Sequence, residues 1–298
     1  MPVTHDFEYC RPQSRKETLE LLAEYGGRAA ILAGGTDLAL FLKDDLIRPD
    51  ILIDIKQIPG LNDVEIKEND EIFMGAGLTF SDIIRHRDLQ KNALLLWESA
   101  HRMSSVGIRN RATLAGNICS AVPCMDSAPA LLCYNAVIHT ESVKGSRKTP
   151  ISDWFLGVRQ TARKPDELVT GVSIFVPKEI HSGCYLKLSR YRGEDLAQAG
   201  MALLITQKKE YRLAYSAVGP IPRRVPSIEE LLSGQEITPS LLQQAIDMVP
   251  GEISPITDIR ASREYREHMC KIMLERGFQV VNARLQGKHI ETLGILGG

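Results

Sequence analysis

Two short segments concentrate the side chains that could hold a charged ligand. ILAGGTDL at 31–38 places Gly34, Gly35, Thr36 and Asp37 directly after an apolar run, and TLAGNICSAVPCMD at 113–126 lies about eighty residues further on. Glycine admits backbone angles and close approaches that a Cβ forbids. Successive amides in such a turn form a concave anion site suited to phosphate, and Thr36 adds a hydroxyl donor. Asp37 would repel a phosphate, so the expectation is that it caps the following helix by accepting backbone N–H bonds. In the second segment Thr113, Asn117 and Asp126 supply a hydroxyl, an amide and a carboxylate, and Gly116 permits close approach. An ionised carboxylate only accepts, which suits the hydroxyls of a sugar or polyol chain. Together the segments read as two clamps on one extended ligand with a phosphate end and a ring end. Taken singly, the first is equally an ordinary strand-to-helix turn, and the second a polar turn network supporting a helix start at Asp126-Ser127.

The surrounding pattern indicates what positions them. RPQSRKETLELLAEYGG reads as a helix with Ser14 as N-cap, Glu17 completing a capping box, Leu19, Leu22 and Ala23 as its apolar stripe and Gly26-Gly27 as its stop. AAIL then predicts a buried strand delivering the first glycine segment, LALFLKDD a short helix and DILIDIK a second strand. From Gly60 the texture changes. DVEIKENDEIFMGAGLTF alternates like a hairpin turning at Glu68-Asn69-Asp70, and SDIIRHRDLQKNALLLWESAHRM predicts one helix capped by Ser81. APALLCYNAVIHTE reads as a helix leading into a strand, GSRKTPISDWFLG as turn chemistry, and ELVTGVSIFVP as a strand closed by Pro177. GCYLKLSRY, AGMALLITQ and YRLAYSAVG predict a three-stranded meander, followed by helices around TPSLLQQAIDMV and SREYREHMCKIMLERGFQVVNARLQ. Boundaries fall near residues 57 and 179.

Composition excludes several function classes. The 298 residues are 44% apolar and 24% charged with a net charge of −1, which gives no reason to expect nucleic acid or an anionic membrane as partner. The spacing G-G-T-D is not G-x-G-x-x-G, and no Walker A sequence occurs, so nicotinamide binding in the usual βαβ mode is unsupported. The six cysteines form no C-x-x-C pair, the N-terminus has no signal-like pattern, and no apolar run reaches membrane-spanning length. A cytoplasmic protein with free thiols follows. His86, His101 and His139 show no ligand-like spacing, so no metal site is expected.

The segments AGGTDL, IRNRATLAGNICSAVPCMDSAPALL, DELVTGVSIFVP and YLKLSRYRGEDLAQAG, with LAYSAVGPIPRRVPSIEELLSG and SREYREHMCKIMLERGF after them, resemble the FAD-binding medium subunit of the molybdenum hydroxylases, the xanthine dehydrogenase family. The similarity runs from about residue 5 to about residue 280. It implies an α+β fold: a PCMH-type, vanillyl-alcohol-oxidase-like FAD-binding fold of two αβ subdomains, 1–57 and 58–178. A C-terminal αβ domain, 179–298, would be like that of the CO dehydrogenase flavoprotein. Carried over, Ile31, Leu32, Ala33, Gly34, Gly35, Thr36, Asp37 and Leu38 would wrap the diphosphate. Thr113, Gly116 and Asn117 would hold its other side, and Asp126 the sugar-like portion. Leu168 or Val169 would meet the adenine end or ring. Lys187 would sit near the isoalloxazine, as a cation favouring the anionic reduced flavin. Met103 stands where xanthine dehydrogenases place an aromatic ring beside the flavin. Ala115 replaces a family glycine and Met125 a family serine, while Cys119 and Cys124 read as small packing residues, with a redox-active disulfide as the alternative. No cysteine lies between Gly75 and Arg102, so the extra iron–sulfur cluster of some relatives is not expected.

By that resemblance the chain carries no catalytic acid, base or nucleophile. Its cofactor is FAD, with molybdopterin on a large partner subunit and [2Fe–2S] clusters on a small one, the whole a dimer of heterotrimers. Electrons would arrive from the clusters and leave as a pair to NAD or another acceptor. The alternatives are a free-standing FAD oxidoreductase, disfavoured by the lack of an evident substrate domain before residue 298, and a scaffold subunit without FAD. The substrate of the assembly stays open among purines, nicotinate, other heterocycles and aldehydes.

Overall fold

Three larger sheets and one two-stranded ribbon organise the described residues. The computed structural model describes residues 3, 5–191, 195–288 and 290–292. The first sheet combines β1 (Glu8–Cys10), β2 (Ala29–Leu32) and β3 (Ile51–Asp54) in the order β1-β3-β2, all parallel. Parallel neighbours need crossovers, supplied by α1 (Arg15–Tyr25) and α2 (Leu38–Lys43). The central strand β3 is buried throughout, as its apolar run predicts. Ser14 caps α1 by accepting the Glu17 amide at 3.2 Å, and Gly26 ends it at φ +54°, both as the sequence predicts. The three-residue β1 is too short for its alternation to show.

The next stretch holds β4 (Val64–Ile66), β5 (Glu71–Gly75), α3 (Phe80–Arg85), α4 (Arg87–Asn92), α5 (Leu94–Arg102), α6 (Val106–Arg109), α7 (Leu114–Ser120), α8 (Ser127–Cys133), β6 (Val137–Ser142), β7 (Gly145–Pro150), β8 (Phe155–Gly157), β9 (Gln160–Thr161) and β10 (Leu168–Phe175). Five of these strands form an antiparallel sheet of order β4-β5-β10-β6-β7. Its middle strand β10 is buried except at Phe175, and a bulge between Val169 and Gly171 bends it. The predicted single helix from Ser81 is instead three short ones. Thr79 wins the cap through a capping box with Asp82, and the Ser81 hydroxyl donates to Asn110 at 2.6 Å. In one straight helix Phe80 and Ile83 would face away from Leu89, Leu96 and Ala100; the breaks at His86 and Ala93 let all five reach the core. GSRKTP, read as turn chemistry, is strand β7 paired with β6.

The last third contains the predicted meander, β11 (His181–Leu188), β12 (Ala199–Thr206) and β13 (Tyr211–Ser216), extended by β14 (Arg223–Arg224). It also holds α9 (Pro226–Leu232), α10 (Pro239–Glu252) and α11 (Arg263–Leu285). Strand alternation divides this sheet between two cores. Tyr185, Ala202, Leu204 and Ala214 join the core of the preceding sheets beside α5 and α8. Leu186, Leu203, Ile205 and Leu213 belong to a second core with α11. A buried ion pair crosses the same boundary: Glu98 of α5 accepts from Arg284 of α11 at 2.5 Å and from the Tyr185 amide at 3.0 Å.

Candidate functional site

The first glycine segment forms the turn from β2 into α2. Gly35 adopts φ +79°. At Gly34 a Cβ would lie 2.1 Å from the Arg111 carbonyl oxygen and 2.9 Å from Ala112 Cα, so glycine here lets two backbones touch. None of the hydrogen bonds among the described residues uses the amides of Gly34, Gly35, Thr36 or Asp37. Asp37 does not cap α2 as expected. Its own backbone is already helical, at φ −87° and ψ −40°, whereas a capping side chain needs an extended backbone. The carboxylate instead accepts from the Ser120 hydroxyl and latches the first segment to the second.

The second glycine segment begins as a helix, not a loop. Thr113 caps α7 by accepting the Gly116 amide at 2.9 Å. Thr113, Gly116, Asn117 and Ser120 recur at helical spacing and so present one small, polar face. Asn117 Oδ1 accepts from Ser127 at 2.7 Å, which fixes the amide and leaves its N–H₂ as the donor. Ala115 sits inside α7 without a positive φ, so its departure from glycine introduces no strain and favours the helix.

Both segments border one cavity of about 760 Å³, a size suited to a small-molecule site. It brings together Ile31, Ala33, Gly34, Gly35, Thr36, Asp37, Leu38, Met103, Thr113, Gly116, Asn117, Asp126, Leu168 and Val169. Leu32 does not border it; its side chain packs beneath Gly35. Lys187 does not border it either, and reaches it only through Asp126. Its Nζ is buried behind the wall, 2.9 Å from Asp126 Oδ2 and donating to the Arg102 carbonyl at 3.0 Å. Sequence reasoning missed Ser120, Arg163, Asp195, Leu196 and Arg260, which also line the cavity. Ser120 was legible from the spacing of Thr113, Gly116 and Asn117 once α7 is read as a helix. Asp195 and Leu196 lie in the segment YLKLSRYRGEDLAQAG, of which only Lys187 is singled out by sequence, and Arg163 and Arg260 arrive from segments with no local signature.

Asp126 is the electrostatic centre of this wall. Burial raises its pKa, opposed by Lys187 and by the Tyr185 hydroxyl, which donates to Oδ1 at 2.7 Å. Tyr185 is itself pushed well above its ordinary value by burial and by the adjacent carboxylate. Lys187, Asp126 and Tyr185 thus form a charge-neutral buried cluster rather than a free cation. Cys119 and Cys124 border the cavity as free thiols, and burial pushes Cys119 up to about 11, keeping it protonated at neutral pH. Among the described residues no helix is long and apolar enough to cross a membrane.

A cavity between a small parallel sheet and an antiparallel one, with unpaired turn amides, a polar helix face and apolar walls, suits a ligand that carries both an anionic group and an apolar ring. Residues 5–179 match the FAD binding domain in molybdopterin dehydrogenase, and residues 184–281 match the CO dehydrogenase flavoprotein C-terminal domain. The chain belongs to the family of FAD-binding subunits of the molybdenum hydroxylases, and is an oxidoreductase subunit with FAD as cofactor. It is 30% identical to the glyceraldehyde dehydrogenase medium chain of Sulfolobus acidocaldarius, over 93% of this chain and 98% of that one. It is 26% identical to the nicotinate dehydrogenase FAD-subunit of Eubacterium barkeri, over 95% and 98%. The structure of carbon monoxide dehydrogenase from Hydrogenophaga pseudoflava superposes with a TM-score of 0.90 at 29% identity, covering 95% of this chain and 99% of that one. The expected α+β fold is the one these proteins share.

Proposed function

We propose that this chain is the electron-transfer subunit of a heteromeric molybdenum hydroxylase. It takes electrons from [2Fe–2S] clusters of a small partner subunit and passes them to an acceptor such as NAD, while a large molybdopterin-binding subunit carries the substrate. The observation that carries this reading is the single cavity that joins the unpaired amides of Gly34 to Asp37 with the polar face of α7 and the bulged start of β10. The printed names of relatives as FAD-subunit and medium chain support a heteromeric assembly, which we take to be a dimer of heterotrimers. Free thiols at all six cysteines support a cytoplasmic setting. The working division of the chain is 1–57, 58–178 and 179–298.

FAD, when bound, supplies the conversion between one-electron and two-electron transfer. The chain's residues bind and orient. In this reading the amides of Gly34, Gly35, Thr36 and Asp37 hold the diphosphate, and Thr113, Gly116 and Asn117 hold its other side. Asp126, kept rigid by Lys187 and Tyr185, accepts from the polyol hydroxyls. Leu168 and Val169 meet the adenine, and Met103 covers the isoalloxazine without stacking as an aromatic would. Lys187 acts through Asp126.

The test is to purify the chain from its native host and record its visible spectrum, chain composition and metal content. Flavin bands in an assembly containing molybdenum and iron are expected. A chain with no flavin that takes up no added FAD would sink the reading, and a lone monomer active on its own substrate would replace it with the free-standing alternative.

A further inference from the structure

We propose that Arg163 holds the adenosine half of the cofactor and thereby selects the flavin dinucleotide over the mononucleotide; this rests on the FAD reading above. The charged side chains lining the cavity are Asp37, Asp126, Asp195, Arg163 and Arg260. Four of them are engaged within the protein. Asp37 accepts from Ser120, Asp126 is paired with Lys187, and Asp195 accepts from the amides of Arg190, Tyr191 and Leu196. Arg260 pairs with Asp258 at 3.3 Å. Arg163 has no carboxylate partner among the described residues. Its Nη1 donates to the carbonyls of Glu167 at 2.8 Å and Lys164 at 3.2 Å, while Nη2 and Nε make no hydrogen bond there. One edge of the guanidinium is therefore anchored to the turn that feeds β10, and the other is available to a ligand.

Its place in the cavity identifies the ligand group. Where the first two sheets meet, the walls are small and apolar: Ala29, Ala30, Ile55, Ala76, Leu168 and Val169. Backbone bonds fix each wall within its own sheet, from Ile55 N to the Leu32 carbonyl at 3.1 Å in the first and from Ala76 N to the Thr170 carbonyl at 3.0 Å in the second. Such a slot admits a flat ring. Asp126 lines the part that faces the third sheet, bonded there to Tyr185 and Lys187. Arg163 belongs to the slot through its tether beside Leu168, and its charge is felt at Cys119, where it opposes the upward push of burial. An adenine offers a π face and ring-nitrogen acceptors that match a planar guanidinium, and the phosphate attached to its ribose is anionic. The mononucleotide keeps its own ring and one phosphate but lacks the adenine, its ribose and the phosphate attached to that ribose.

The experiment titrates FAD and FMN into the apo form of the full chain by calorimetry. Arg163→Gln is expected to weaken FAD about tenfold, the size of one desolvated cation–π or charged hydrogen-bond contact, and to leave FMN affinity unchanged. Arg147→Gln separates binding from a merely loosened turn. Arg147 holds the same turn from outside the cavity, donating to Glu167 at 2.6 Å and to the Ala162 carbonyl at 2.8 Å, and its loss is expected to preserve the FAD-to-FMN ratio. Where the glutamine variant does not fold, Arg163→Lys keeps the charge without the plane and is expected to lose part of the FAD preference. An unaltered preference in the Arg163 variants overturns the role of Arg163 alone. An unmodified chain that binds neither flavin overturns the FAD reading itself.

Discussion

At Gly34 the chain has no room for one more carbon: backbone atoms of Arg111 and Ala112 occupy the place where a Cβ would go, the nearest at 2.1 Å. At Gly116 the nearest obstacle is 2.9 Å away and is a side-chain atom, the Thr113 hydroxyl that caps the same helix. The first glycine is imposed by the packing of one segment on another, and its turn leaves amides without protein acceptors. The second is a helical residue whose small size serves mainly the polar face it shares with Thr113, Asn117 and Ser120. Similar letters in the sequence therefore mark two devices: an open turn that offers donors, and a short helix that offers side chains.

The largest effect on this contrast is expected from detaching the second segment from the third sheet. Lys187→Met strands Asp126 as a buried, uncompensated carboxylate and should destabilise by about 3–5 kcal/mol in urea unfolding. Adding Asp126→Asn should recover part of that loss; strict additivity in the double variant would show that the pair is not coupled. Gly34→Ala should cost about 1–3 kcal/mol by overpacking and abolish flavin retention, because the 33–38 turn must move off Arg111. Flavin stoichiometry after gel filtration checks it, and full retention would mean that the turn does not hold the cofactor. Ser120→Ala removes the latch to Asp37 and should cost about 1 kcal/mol, with a measurable rise in FAD dissociation rate. Gly116→Ala should change stability by less than about 0.5 kcal/mol, since improved helix propensity offsets a displaced Thr113 cap. A loss as large as that of Gly34→Ala would erase the distinction between the two glycines.

Much of this architecture is legible in local pattern. The Ser14 cap and Gly26 stop of α1, the apolar run of β3, and the meander of β11 to β13 all follow from periodicity and turn residues. The cavity's loop residues are legible only when several segments are read together, since each glycine segment alone reads equally as an ordinary turn. What escapes is non-local. Nothing near Lys187 in sequence announces that its partner is Asp126, and nothing near Asp37 announces Ser120. Short elements escape too: α7 spans only Leu114–Ser120, too few turns for a periodic signal, and β1 only three residues. The three-way break of α3, α4 and α5 follows from where the core lies, which no single window contains.

The sheet of β11 to β13 has an outcome for how the molecule can be divided. Because Tyr185, Ala202, Leu204 and Ala214 complete the apolar interior of the upstream region, and Glu98 draws its buried counter-ion from α11, a fragment ending near residue 179 would present a raw hydrophobic surface and an orphaned charge. The two family-matched regions are recognisable as separate units along the chain. A shared sheet and a buried ion pair join them, so gene fission at that junction is expected to yield fragments that recover their shape only in each other's company.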